Sequence, residues 1–186
     1  MPGVLRSGEI DYEVKPLDQH EVFQSKTFQD NWACWYTAAL MVLSYRGVLP
    51  TVSMSNLRSL VRLWQNRGIG IGDLGNLAQE AGLEHSPTKV LFAKKGAGDW
   101  FNNLSRLGPL IVIVPGHAVV VRGLVNEGGG WSVIVNDPWD GSVTKRPLLR
   151  FNGDVWWHCP ILYRRSADRP PSMLLQPVMD PYGVSY

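Results

Sequence analysis

Three residues far apart in the chain are of types that could do chemistry together: Cys34, His117 and Asp137. Cys34 opens an apolar, helix-like run, Cys34-Trp35-Tyr36-Thr37-Ala38-Ala39-Leu40, after the polar stretch Gln29-Asp30-Asn31. A thiol at a helix start sits among unpaired N–H groups at the positive end of the dipole, which favours thiolate, the nucleophilic form. His117 follows Gly116 and opens the apolar run Ala118-Val119-Val120-Val121, so a strand presents it at its start. Asp137 precedes Pro138 and closes a second strand-like run. A thiol nucleophile, an imidazole to take its proton and a carboxylate to orient the imidazole make a thiol-based catalytic triad.

Each residue also has a plainer use. Free cysteine packs as a small hydrophobe, and Asp-Pro commonly starts a turn. Order and placement favour chemistry. Asn126-Glu127-Gly128-Gly129-Gly130 makes a turn, so 117–125 folds back on 131–136 as a hairpin. His117 and Asp137 then come to the same end of adjacent strands. Pairing about a centre between residues 127 and 128 puts Ala118 opposite Asp137, within one residue of the register needed. Asp140 stands behind Asp137 as a second carboxylate. Thiol acyl chemistry also creates an oxyanion; a side-chain amide from Gln29 or Gln24, with the Cys34 backbone N–H, would stabilise it. His158 and Cys159 are strand neighbours on opposite faces and make a poor dyad. Gly68-Ile69-Gly70-Ile71-Gly72 lacks the Lys-Ser/Thr of a phosphate loop.

The elements that must position these residues come in two sets. Asp30 or Asn31 can cap a helix from Cys34 to about Arg46, terminated by Gly47 and Pro50. Ser53 or Ser55 can cap a second helix ending near Gly68. A third runs from Leu74 to Ala81, with Asp73 as N-cap and Gly82 as stop. Residues 83–92 read as a strand with a turn at Ser86-Pro87, and residues 98–107 as a helix broken by Gly108-Pro109. Strands follow at 110–114, 117–125, 131–136, 141–149 and 155–163. Helices first and an antiparallel sheet second is an α+β pattern. Residues 1–22 read as an extended arm, 23–165 as the domain, and 166–186 as a Pro-rich tail.

At 186 residues the chain can bury a real core without staples. A net charge of +2, with scattered Lys and Arg, gives no electrostatic case for nucleic acid. Two cysteines make no disulfide framework, and no CxxC or HxxxH spacing supports a metal; no metal or other cofactor is expected. Met1 to Lys15 holds no apolar h-region, so no Sec signal peptide is expected. The longest apolar run, Leu110 to Val121, is too short to span a bilayer, and no membrane partner is expected. Eight tryptophans suit either a core or an extended groove for a peptide.

Taken in order, several segments resemble a papain-like cysteine peptidase, of the compact branch that includes the C39-type bacteriocin-processing and AvrRpt2-like (C70) peptidases. They are Gln29 with four residues before Cys34-Trp35, the Ala38–Leu43 run, Gly72-Asp73-Leu74 to Gly82, Gly108-Pro109-Leu110, Gly116-His117-Ala118, and Val135-Asn136-Asp137-Pro138. The resemblance implies a papain-like fold, with Cys34 as nucleophile, His117 as base, Asp137 as orienter and Gln29 as oxyanion donor. It implies a protein substrate, cleaved through a thioester. A transamidase, deamidase or acyltransferase would use the same residues, and a binding module would use the tryptophans alone. By analogy it suggests a bacterial effector or toxin, exported by a dedicated system to a target-cell cytoplasm and matched by an immunity or inhibitor protein.

Overall fold

A computed structural model describes residues 8–22, 33–45 and 69–164. The expected second helix, the caps Asp30 and Asn31, the stops Gly47 and Pro50, and the tail lie outside the described residues.

The fold is α+β. Strands β1 (Ile10–Asp11), β2 (Leu83–Pro87), β3 (Leu110–Val114), β4 (His117–Asn126), β5 (Trp131–Asp137), β6 (Ser142–Pro147) and β7 (Pro160–Arg164) form one sheet. Its order is β2-β7-β3-β4-β5-β6, and every described pairing is antiparallel. β4 is twice as long as β3, and β1 pairs with the part of β4 that β3 leaves open. Ala118, Val119, Val120 and Val121 are all buried, the signature of a central strand covered on both faces.

The helices are α1 (Gln19–Val22), α2 (Cys34–Ser44), α3 (Leu74–Ala81), α4 (Thr88–Leu91), α5 (Ala97–Leu107) and α6 (Leu148–Asp154). In α2 every residue from Trp35 to Leu43 is buried, so it is a core helix rather than one with a single apolar stripe. It packs on β3 and β4, while α5 packs on β4 and β1, and α6 on β5 and β6. Each large side chain so buried contributes about 1.5–3 kcal/mol. α2 stops at Ser44, before Gly47, because Tyr45 turns extended. The Tyr45 carbonyl accepts from Arg164, and its ring stands edge-on to Tyr12. α3 has the expected bounds and ends on Gly82 in the left-handed region (φ 71°).

Four boundaries differ from the sequence-based expectation. Asp73 does not cap α3; its carboxylate accepts the Gly70 N–H and closes the tight turn Ile71–Asp73 instead. The strand expected over 83–92 ends at Pro87, and Thr88–Leu91 is a helical turn. The strand expected over 141–149 ends at Pro147, which has no N–H to extend the ladder, and α6 follows with Leu148 and Phe151 buried three apart. Of 155–163, only the part from Pro160 is strand. Before it the backbone makes tight turns, with Trp157 N–H on Val155 O and Cys159 N–H on Trp156 O.

The segment from Gly8 to Val22, expected as an extended arm, is tied to the sheet. Besides the β1–β4 pairing, Tyr12 N–H donates to Arg122 O at 3.1 Å, Arg122 reaches Asp11 and Val14 O, and Asn136 Nδ2 donates to Val14 O. No described helix is long and apolar enough to cross a membrane.

Candidate active site

Cys34 is the first residue of α2, preceded by Ala33, which offers no side-chain cap. The first-turn N–H groups therefore surround the thiol with the positive end of an eleven-residue helix. Cys34 is half-buried and free of any disulfide.

His117 is the first residue of β4, and Asp137 the last of β5. The pairing between these strands changes partway along. Near the turn, Asn126 faces Trp131 and Gly123 faces Ile134; continued unchanged, this would set Asp137 against Val120, on the face away from His117. A bulge at Arg122 adds one residue to β4, after which Val121 faces Val135 and Val120 faces Asn136. Asp137 then stands diagonally to His117 on the same face. The expected register, Ala118 opposite Asp137, is not the one formed: the turn centres one residue later, between residues 128 and 129, and the bulge takes back half of that offset, which leaves Val119 opposite Asp137.

The result is a short contact, with His117 Nε2 2.6 Å from Asp137 Oδ1. Cys34 lies close enough to the imidazole to act on its titration, both by hydrogen bonding and by charge. Since Asp137 occupies Nε2, Nδ1 is the ring nitrogen left for the thiol. Burial by itself would lower the imidazole pKa. The hydrogen bonds to Asp137 and Cys34 and their negative charge outweigh it and raise the value to about 9. Burial pushes the Asp137 carboxyl upward, but the bonds from His117 and the Trp139 N–H and the charges of His117 and Arg146 bring it below its ordinary value. At neutral pH His117 therefore carries a proton on both nitrogens, and Nε2–H donates to an ionised Asp137.

Asp137 has further partners. Trp139 N–H donates to Oδ1 at 3.0 Å, and Arg146 Nη2 donates to Oδ2 at 3.1 Å. Nothing in the sequence marks Arg146, since a lone arginine on an exposed strand is usually just solvated. Helix α1 docks on the following turn, with Gln19 N–H on Pro138 O at 2.7 Å and the His20 ring edge-on to Trp139.

The other candidates fall away from this constellation or outside the description. Asp140 accepts the Ser142 N–H and sits at the surface, so it does not stand in for Asp137. Cys159 is buried, and its thiol is pushed up by that burial, while His158 is exposed and stacked on Trp156. Gln29 and Gln24 lie outside the described residues. A groove of about 580 Å³ near Trp131, Leu148 and Leu149 lies at the opposite end of β4 and β5 and has no part in this site.

The model of the family described as papain-like cysteine protease AvrRpt2 matches residues 16–155, a span that holds Cys34, His117 and Asp137. No curated protein matches the chain. The chain belongs to that family of papain-like cysteine peptidases.

Proposed function

We propose that this peptidase cleaves peptide bonds of a protein substrate through a thioester acyl-enzyme, with Cys34 as nucleophile, His117 as acid and base, and Asp137 as orienter. The observation that carries this reading is the 2.6 Å contact of His117 with Asp137, on an imidazole whose titration Cys34 also raises.

Cys34 Sγ attacks the scissile carbonyl carbon, and the oxygen becomes an oxyanion beside the Cys34 backbone N–H. Gln29, or Gln24, is the side-chain donor completing that pocket. His117 gives its Nδ1 proton to the leaving amine as the C–N bond breaks, which leaves the thioester. Water then attacks the thioester while His117 takes a proton from it, and the thiolate departs. Asp137 keeps Nε2 engaged throughout, so that Nδ1 faces the reaction.

On the resemblance drawn from the sequence, we place the protein as an effector or toxin delivered to a target cell, with a cognate neutralising protein in its producer. Growth arrest of an expressing cell by the wild-type chain but not by Cys34→Ala would support that role, and equal growth would count against it.

An irreversible thiol-directed epoxide tests the chemistry. It should label Cys34 in the folded wild type and leave Cys34 of His117→Ala largely unlabelled. Intact-mass analysis of treated proteins then separates chain cleavage from an amide-to-carboxylate change or an acyl adduct. Either of the last two without cleavage would replace peptide-bond cleavage with side-chain deamidation or acyl transfer.

A further inference from the structure

The carboxylate of Asp137 is held on both oxygens. Oδ1 takes the His117 and Trp139 N–H groups, and Oδ2 takes Arg146 Nη2 at 3.1 Å. The arginine is itself steered, since its Nε lies 3.3 Å from Thr144 Oγ1. The pairing of β5 with β6 sets Ser142 against Asp137, Thr144 against Val135 and Arg146 against Val133. By alternation these residues share one face, so the guanidinium runs back along β6, over Thr144, to the carboxylate. We propose that Arg146 is a positioning residue of the site, clamping Asp137 Oδ2 so that Oδ1 stays aimed at His117 and the carboxylate stays ionised. This rests on the triad reading above.

A carboxylate on one bond can rotate about its last torsion; one gripped on both oxygens cannot do so without breaking a charge-assisted bond. His117 and Arg146 are the two cations paired with Asp137 among the described residues. The other titratable groups nearby are Asp140 in the turn, Cys34 across the imidazole, and Asp18 and His20 on the docked α1 segment. None of these would replace the arginine: the carboxylates and the thiol bring no positive charge, and His20 turns its ring to Trp139. Arg146 is 31% exposed, so water screens the ion pair and its value to overall stability is small. Its effect falls on the orientation and charge of Asp137, and through His117 on the thiol.

The test uses the full chain and needs no substrate. Alkylation of Cys34 by iodoacetamide is followed against pH and mapped by mass spectrometry, so that Cys159 does not contribute. The comparison is among wild type, Arg146→Gln, Arg146→Lys and Thr144→Val, with circular dichroism as the check on folding. Losing the positive charge leaves the thiolate less stabilised, and loosening Asp137 leaves the imidazole less well oriented to take the thiol proton. At a fixed pH below the plateau, Cys34 of Arg146→Gln should therefore alkylate more slowly than wild type, by roughly threefold. Arg146→Lys, which keeps the charge but not the fork, should fall between, and Thr144→Val should be slowed less. Superimposable profiles for folded wild type and Arg146→Gln would overturn the proposal. If Arg146→Gln does not fold, Thr144→Val decides, a slower rate supporting the clamp and its absence refuting it. A wild-type Cys34 alkylated no faster than that of folded His117→Ala would instead overturn the triad reading, and the clamp with it.

Discussion

His117 and Asp137 meet on one face of the sheet because β4 carries an extra residue, Arg122, between His117 and the turn. Without that residue, the pairing near the turn would point the two side chains to opposite faces. The N-terminal segment seals the bulge. Tyr12 N–H donates to Arg122 O, the arginine side chain reaches back to Asp11 and Val14, and Ile10 lies against Gly123.

Gly123 gives this arrangement a direct test. A Cβ there would sit 2.5 Å from the Ile10 carbonyl oxygen and 3.1 Å from Asp11 Cα, both backbone atoms of the paired segment. Gly123→Ala must push that segment off the bulge, at a cost of about 1–3 kcal/mol. Thermal unfolding should show a lowered Tm, and activity should fall with it. An unchanged Tm would mean that the segment is not needed to hold the register.

The titrations give a pH dependence with a definite sign. His117 is raised from 6.5 to about 9, so its contribution to stability is complete below pH 6.5 and is lost as pH rises through about 9. Asp137 is lowered from 3.8, so its contribution is present above pH 3.8 and is lost as pH falls through the lowered value. The excess stability of wild type over Asp137→Ala should thus be greatest between about pH 4 and 6.5 and decline on both sides. Denaturation curves across that range would show it. In Cys34→Ala the imidazole loses one hydrogen bond and one charge, so its NMR titration should move to lower pH.

Asp137→Asn and Asp137→Ala should separate orientation from charge. The asparagine carbonyl can still accept from His117 Nε2–H but gives Arg146 no anion. Turnover should fall by about 10²-fold or more in Asp137→Ala, and by a smaller factor in Asp137→Asn. Steady-state kinetics on one peptide substrate would rank them. Equal losses would show that the negative charge, not the hydrogen bond, is what matters.

Trp100 tests the core away from the site. It is fully buried against Phe92, Phe151 and Trp157, and its Nε1–H donates to Asn152. Trp100→Ala should cost about 3–5 kcal/mol in chemical denaturation. Cys34 alkylation in the remaining folded protein should be nearly unchanged, because no described contact links Trp100 to the triad.

Much of this was legible because local signals agree with the fold. Gly82, Gly108-Pro109 and the glycine-rich turn after Asn126 bound α3, α5 and the β4–β5 hairpin close to where the sequence places them. Cys34 and His117 were readable because each opens an apolar run. The bulge was not, since Arg122 looks like an ordinary outward strand residue until Asp11, Tyr12 and Val14, more than a hundred positions earlier, are seen bonded to it. Arg146 was hidden for the same reason, its meaning lying in the register of β6 against β5. Helix α6 was missed because Leu148 and Leu149 continue a strand-like stretch, and only the core beneath Leu148 and Phe151 favours a helix. The described tryptophans divide between core and surface, with Trp35 and Trp100 fully buried and Trp139 about half exposed beside Asp137.

The central claim is that Cys34 cleaves peptide bonds. Its most direct test is to express wild type and Cys34→Ala in bacteria and compare the two proteomes by N-terminal mass spectrometry. The account predicts new protein N-termini with wild type alone, sharing a sequence pattern around the cut. The same termini in cells expressing folded Cys34→Ala would contradict it.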